Sequence, residues 1–306
     1  MPKVSVIINC YNGEEFLAET LDSLKAQTFT DYELVFWDNC STDRTPEIAK
    51  TFDSRLRYFR GETLIPLGQA RNKALEQVEG EYVAFLDSDD LWEPDKLERQ
   101  VAVLDEMPDC GMVLSNYKRL NMLSGETDVF APSAQTHTES FTDFVLHYGH
   151  ALSSFLIRRT ALEGLDHYFD GRLKYAEEYE LFIRIAYRWN AVYLAEPLAT
   201  YRLHNGMATV QLQSRMAEEY DITLDNLRGM IENFDARYPE IVYHIHYLRD
   251  FSIAKDILPQ GENKRVRQLM KPYWSYNIRA KCYYLAACAP TCISKLAFRG
   301  FYRKRI

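Results

Sequence analysis

Tyr82-Val83-Ala84-Phe85-Leu86-Asp87-Ser88-Asp89-Asp90-Leu91-Trp92-Glu93-Pro94-Asp95 is an apolar run that stops at three carboxylates and then meets a helix-starting Pro-Asp. A short, wholly apolar run of this length, bounded by polar residues, reads as a strand buried on both faces. Three acids at its end have no cationic partner in the sequence around them, and like charges this close disfavour joint ionisation unless a cation joins them. Oxygen-only donors suit Mg²⁺ or Mn²⁺, ions that keep coordination positions open for a substrate's phosphates. The plainer alternative is a solvated acidic loop that caps the next helix, a common use of Asp.

Upstream of this strand, residues 3–9 read as a buried strand, and Glu14 to Gln27 as a helix with Phe16, Leu17, Leu21 and Leu24 at helical spacing. Tyr32 to Trp37 reads as a second strand ending at Asp38, followed by a helix that Ser41 or Thr42 caps and that carries Pro46 in its first turn. Arg55 to Phe59 and Leu67 to Val78 supply a third strand and helix before Tyr82 to Leu86. Alternation of this kind predicts an α/β fold with a mostly parallel central sheet between helices. Ligands of open parallel sheets collect at the carboxyl ends of the strands. Three polar loops fall there: Asn9-Cys10-Tyr11-Asn12, Asp38-Asn39 and Asp87-Ser88-Asp89.

Beyond residue 110 the pattern is mixed. Gly111 to Tyr117, Ser153 to Ile157, Ala191 to Leu194 and Ala199 to Leu203 read as strands, and Glu177 to Arg188 as a helix. After Gln211 nearly all is helical, with segments at Met216 to Phe234, Ile241 to Ile257 and Lys264 to Lys271. We therefore expect an α/β domain over 1–211, in two halves (1–105 and 106–211), followed by a helical region over 212–306.

The 306 residues are 47% apolar, enough for a full core in one large domain or two unequal ones. The net charge of -8 is unevenly placed: the last 44 residues, from Asn263, hold 11 Lys or Arg and no acid. An acidic body argues against nucleic-acid binding. A basic, aromatic tail over 276–306 suits peripheral contact with an anionic membrane, or simply a solvated basic face. The six cysteines form no Cys-x-x-Cys pair and no signal segment opens the chain, which leads us to expect free thiols, a cytoplasmic location and room for an oligomer. The stretch Cys282 to Ile293 is too short to span a bilayer.

Val4 to Gly13, Gln27-Thr28-Phe29, Trp37 to Asp43, Gly68-Gln69-Ala70-Arg71-Asn72, Gly80-Glu81-Tyr82 and the acidic cluster, in that order, resemble the family-2 glycosyltransferases of GT-A fold. The resemblance covers about the first two hundred residues. It implies a cytoplasmic enzyme that takes a sugar from a nucleotide-sugar donor, UDP-linked in our reading. By that resemblance Asp38 reads the base, Tyr11 and Asn12 line the nucleoside pocket, and Asp87 with Ser88 faces the ribose and phosphate. Asp89 is the direct ligand of Mn²⁺ or Mg²⁺, and Arg71 reaches the diphosphate or nucleotide pocket. Asp90 caps the following helix or orients its neighbours.

Tyr175 to Arg184 resembles the family's acidic pair followed by Leu and Arg, with Glu178 where Asp is usual. Glu178 is therefore the expected catalytic base, Glu177 the runner-up, and Glu180 a solvated residue of an acidic helix start. Tyr201-Arg202-Leu203-His204 resembles the segment whose His approaches the metal or the diphosphate. The implied reaction is an inverting transfer to a hydroxyl of a glycan or lipid-linked acceptor in surface-polysaccharide or glycan assembly. A degenerate nucleotide-sugar-binding scaffold is the alternative. A sugar nucleotidyltransferase is less favoured, because the first loop lacks the Gly-rich, basic sequence that holds a triphosphate.

Overall fold

A computed structural model describes residues 1–130, 133–204, 206 and 216–289. Its first four strands, β1 (Val4–Cys10), β2 (Tyr32–Asp38), β3 (Leu56–Arg60) and β4 (Tyr82–Phe85), lie parallel in the order β3-β2-β1-β4. Each is joined to the next by a helix: α1 (Leu17–Lys25), α2 (Thr45–Ala49) and α3 (Leu67–Leu75). Both sheet faces are covered, which is why these strands are continuous apolar runs. Val4, Val6 and Ile8 pack with Leu17, Leu21 and Leu24 of α1 on one face. On the sheet's other side the Phe85 ring meets Phe169 edge to face.

The second part of the sheet contains β5 (Leu91–Trp92), β6 (Cys110–Asn121), β7 (Thr127–Phe130), β8 (His137–Glu139), β9 (Leu156–Arg158) and β10 (Asn190–Leu203). Between them stand α4 (Lys96–Glu106), α5 (Phe141–Leu146), α6 (Arg159–Glu163) and α7 (Glu177–Arg188). Among the described residues the strands form one sheet whose main path runs β3-β2-β1-β4-β9-β6-β10-β5. It is parallel through β4 and mixed beyond. A tight turn at Leu152–Ser154, held against the carboxyl end of β4, sends β9 back antiparallel between β4 and β6.

Several local expectations shift. The strand expected over Ser153 to Ile157 is this turn followed by the short β9. The two strands read at 191–194 and 199–203 are one strand, β10, with register shifts around Pro197. A proline cannot donate to a ladder, so it reads as a break, yet a bulge absorbs it. Asp43, not Ser41 or Thr42, holds the start of α2, its carboxylate accepting from the Thr45 N–H at 3.0 Å.

The chain divides into two compact units, Met1–Leu203 and His204–Ile306. In the second, α8 (Met216–Met230), α9 (Phe234–Arg237), α10 (Pro239–Ile257), α11 (Asn263–Met270) and α12 (Ile278–Ala286) are described. Tyr247, Ala254, Leu258, Val266, Met270, Tyr273, Ala280 and Ala287 form its core. No helix among the described residues is long and apolar enough to cross a membrane. Cys10, Cys40, Cys110, Cys282 and Cys288 are free thiols. Residues 290–306 of the expected membrane tail lie outside the described residues.

Candidate active site

The loops after β1 and β2 are zipped together by side chains acting on backbone. The Asn12 N–H donates to Ser41 Oγ at 3.0 Å, the Thr42 N–H to Asn12 Oδ1 at 2.8 Å and the Gly13 N–H to Thr45 Oγ1 at 2.8 Å. Asn12 takes φ 52°, a left-handed conformation that Asn tolerates. A Cβ at Gly13 would lie 2.4 Å from Cys10 Sγ, so the turn requires glycine. Tyr11 is left 48% exposed on this edge. Asp38 is fully buried: Oδ1 accepts from the Ser41 N–H at 2.7 Å, and Oδ2 accepts from Tyr58 at 2.6 Å and from Arg60. Tyr58 and Arg60 come from β3, and sequence reading gave no sign of them.

At the end of β4 the acidic residues form a tight turn, closed by the Asp90 N–H donating to the Asp87 carbonyl at 3.0 Å. Ser153 clamps it: its Oγ accepts from the Asp87 N–H at 3.1 Å and donates to Asp90 Oδ2 at 2.6 Å. Arg202 clamps the opposite side. It is buried, its backbone N–H donates to Asp90 Oδ1 at 3.2 Å, and its guanidinium reaches the Asp89 carbonyl, Glu19 and Thr20 Oγ1. Asp90 therefore orients this turn and caps no helix; α4 begins at Lys96, and its N-cap residue Asp95 makes no side-chain cap. Burial, with Asp87 and Asp89 adding to it, drives the Asp90 carboxyl well above its ordinary range. Asp87 is also raised, by burial first, then by Asp89, against the opposing pull of Arg71. Ser88 turns its carbonyl to the Thr20 hydroxyl at 3.0 Å.

Arg71, on α3, is 2% exposed and joins this turn to α7. Its Nη2 contacts Asp87 Oδ1 at 3.2 Å, and its Nη1 contacts Glu177 Oε1 at 3.1 Å and Glu178 Oε1 at 3.0 Å. Burial opposes its charge, but Glu178, Asp87 and Glu177 outweigh that and raise its pKa further. The structure thus gathers Arg71, Asp87, Glu177 and Glu178, four residues from three separate elements.

The two glutamates differ. Glu177 is enclosed, with Oε2 lacking a partner among the described residues, whereas Glu178 leaves 28% of its side chain open. Burial pushes the Glu178 carboxyl up to about 7, with Arg71 opposing and Asp87 and Glu177 adding. Tyr148, absent from the sequence reading, feels this cluster: its buried hydroxyl has no hydrogen-bond partner among the described residues, and burial and then Glu178 raise its pKa far above the usual value.

Glu180 is not solvated as expected. It is fully buried and grips Arg184 through both oxygens, at 2.7 and 2.8 Å, an i,i+4 pair that locks α7. His204 follows β10 directly, in the second unit, with Nδ1 accepting from the Gly206 N–H at 3.2 Å.

Among the described residues no group of three or more His, Cys, Asp or Glu is gathered to hold a metal. The donor chemistry nevertheless fits a hard divalent cation: Asp87 and Asp89 bring two carboxylates of like charge to one turn, while both Asp90 oxygens are taken by Ser153 and the Arg202 N–H.

The model of the family described as "Glycosyl transferase family 2" matches residues 5–165. TuaG of Bacillus subtilis (strain 168) is 35% identical over 150 residues, 47% of this chain and 59% of TuaG. The Escherichia coli protein named UDP-Glc:alpha-D-GlcNAc-diphosphoundecaprenol beta-1,3-glucosyltransferase WfgD is 27% identical over 248 residues, covering 80% of this chain and 92% of WfgD. The match therefore spans a little under two thirds of TuaG's own length. Among solved structures, S. aureus TarS 1-349 in complex with UDP-GlcNAc superposes with a TM-score of 0.67 at 20% identity, over 99% of this chain and 92% of that one. This likeness shows the GT-A fold.

Proposed function

The chain belongs to glycosyl transferase family 2, and we propose that it transfers a sugar, with inversion, from a UDP-sugar to a hydroxyl of a glycan or lipid-linked acceptor. One observation carries this reading: Glu178, open on one side, titrates near 7 while Arg71 ties it to the acidic turn. A general base works best with a pKa close to the operating pH. Glu178 takes the proton of the acceptor hydroxyl, whose oxygen bonds to the anomeric carbon from the face opposite the diphosphate. The bond from that carbon to the diphosphate oxygen breaks, and its electron pair leaves with UDP. Glu177, enclosed and bound to Arg71, positions its neighbour.

The zipped loops at Tyr11 and Asn12 offer the nucleoside an edge, and Asp38 an acceptor for the base N–H. Arg60, whose side chain is 42% exposed, would have to release the buried Asp38 Oδ2 for a base to reach it. Asp87 and Ser88 face ribose and phosphate. Asp89 would hold Mn²⁺ or Mg²⁺, which would neutralise the diphosphate charge. UDP as the nucleotide and a lipid-linked glycan as the acceptor are supported by the name of WfgD and by the UDP-GlcNAc complex of TarS.

Incubation with a panel of UDP-sugars, Mn²⁺ and lipid-linked or glycan acceptors tests the reading. Release of UDP coupled to a glycosylated product is expected, whereas tight donor binding without turnover on any acceptor would favour a scaffold. Asp89→Ala is expected to weaken Mn²⁺-dependent UDP binding and transfer together, read by calorimetry and by product formation. Unchanged Mn²⁺ dependence in that variant would remove Asp89 from the metal site.

A further inference from the structure

Helix α12 carries its apolar residues on the wrong side for a helix that only needs to fold. Ala280 and Ala287, two turns apart, are buried in the core of the second unit. On the opposite side Ile278 is 71% exposed and Leu285, again two turns on, is 53% exposed. At 3.6 residues per turn, Ile278, Cys282 and Leu285 share one narrow stripe, and Lys281 borders it. Trp274, 39% exposed, flanks the stripe at Lys281; its ring packs edge-on against Tyr284 and lies 5.0 Å beneath the Lys281 ammonium. Residues 263–289 carry Lys264, Arg265, Arg267, Lys271, Arg279 and Lys281 and no acid.

We infer that this face docks on an anionic lipid bilayer, with Ile278, Leu285 and Trp274 entering the headgroup boundary while Lys271, Arg279 and Lys281 meet lipid phosphates. The charge pattern selects this occupant. An exposed aliphatic stripe alone would suit a protein partner as well, but a cationic border without a single carboxylate complements a uniformly negative surface. Trp beneath a cation is an arrangement that the membrane interface favours, because the ring body is apolar and its rim polar. The docking surface thus lies within the described helices, and it stands whether or not the sugar-transfer reading holds. If that reading holds, the bilayer brings a lipid-linked acceptor to the enzyme.

Sedimentation of the full-length chain with vesicles tests it. Binding to vesicles rich in phosphatidylglycerol, and little to pure phosphatidylcholine, is expected. Ile278→Ser with Leu285→Ser, and separately Lys271→Glu with Lys281→Glu, should each weaken partitioning roughly tenfold or more, since apolar insertion and phosphate contact act together. All four positions are exposed or bordering solvent, and an unchanged circular dichroism melt verifies folding. Absence of wild-type binding to phosphatidylglycerol would overturn the inference. So would loss of binding on reversing Lys295, Arg299, Arg303, Lys304 and Arg305 while both face variants stay bound, an outcome that assigns the contact to the tail.

Discussion

Glu178→Gln is expected to lower sugar transfer by ~10²–10⁴-fold, the usual contribution of a general base, while UDP-sugar affinity stays nearly constant. The amide keeps the shape and can still meet Arg71, but it cannot take a proton. The titration of Glu178 adds a second signature. Its carboxyl is raised from 4.5 to about 7, so it is protonated below that value and active above it, and wild-type turnover should climb as pH rises through 7. The stability effect has the opposite sign. A carboxyl whose pKa is raised by folding costs stability once it ionises, and that cost grows between pH 4.5 and about 7 and is complete above it. Relative to wild type, Glu178→Gln should therefore melt higher at pH 8 than at pH 5. Turnover of Glu178→Gln at the wild-type rate would remove Glu178 from the base role.

How much of this site the sequence disclosed depends on whether a residue's role is set by its neighbours in the chain or by its neighbours in space. Asp87 and Asp89 were legible because a buried strand ending in acids is a local pattern, and the parallel fold follows from local alternation of strand and helix. The convergence of Arg71 with Glu177 and Glu178 crosses more than a hundred residues, and no spacing rule announces it. Arg202 stood beside the residue that drew attention, His204, yet holds the acidic turn from the other side. Glu180 was misread for a related reason: acids at a helix start usually face water, but Arg184 one turn later could have signalled a buried pair. The outward face of helix α12 went unread because Ala280 and Ala287 are too small to announce an inward stripe, while Ile278 and Leu285 stand exposed on the other side.

Arg71→Met is expected to be the most damaging single change in the first unit. Methionine matches much of the side-chain volume but leaves Asp87, Glu177 and Glu178 without the cation that offsets their mutual repulsion. Breaking a buried ion pair from one side costs about 3–5 kcal/mol, because the remaining charge stays buried and uncompensated. Here three carboxylates lose a partner, although Asp87 and Glu178 are partly open and recover some hydration. A fall in melting temperature of roughly 6–20 °C is the corresponding scale for a unit of this size. The deficit should shrink as pH falls toward 5, since the carboxyls, no longer held ionised by the guanidinium, take up protons more readily and relieve the repulsion. Adding Glu177→Gln to Arg71→Met should restore part of the lost stability without restoring transfer, because Glu177 is the enclosed partner and Glu178 would still lack its brace. Equal melting temperatures for Arg71→Met and wild type across this pH range would mean that the guanidinium does not compensate the cluster, and that its contacts at 3.0 to 3.2 Å contribute nothing net to the fold.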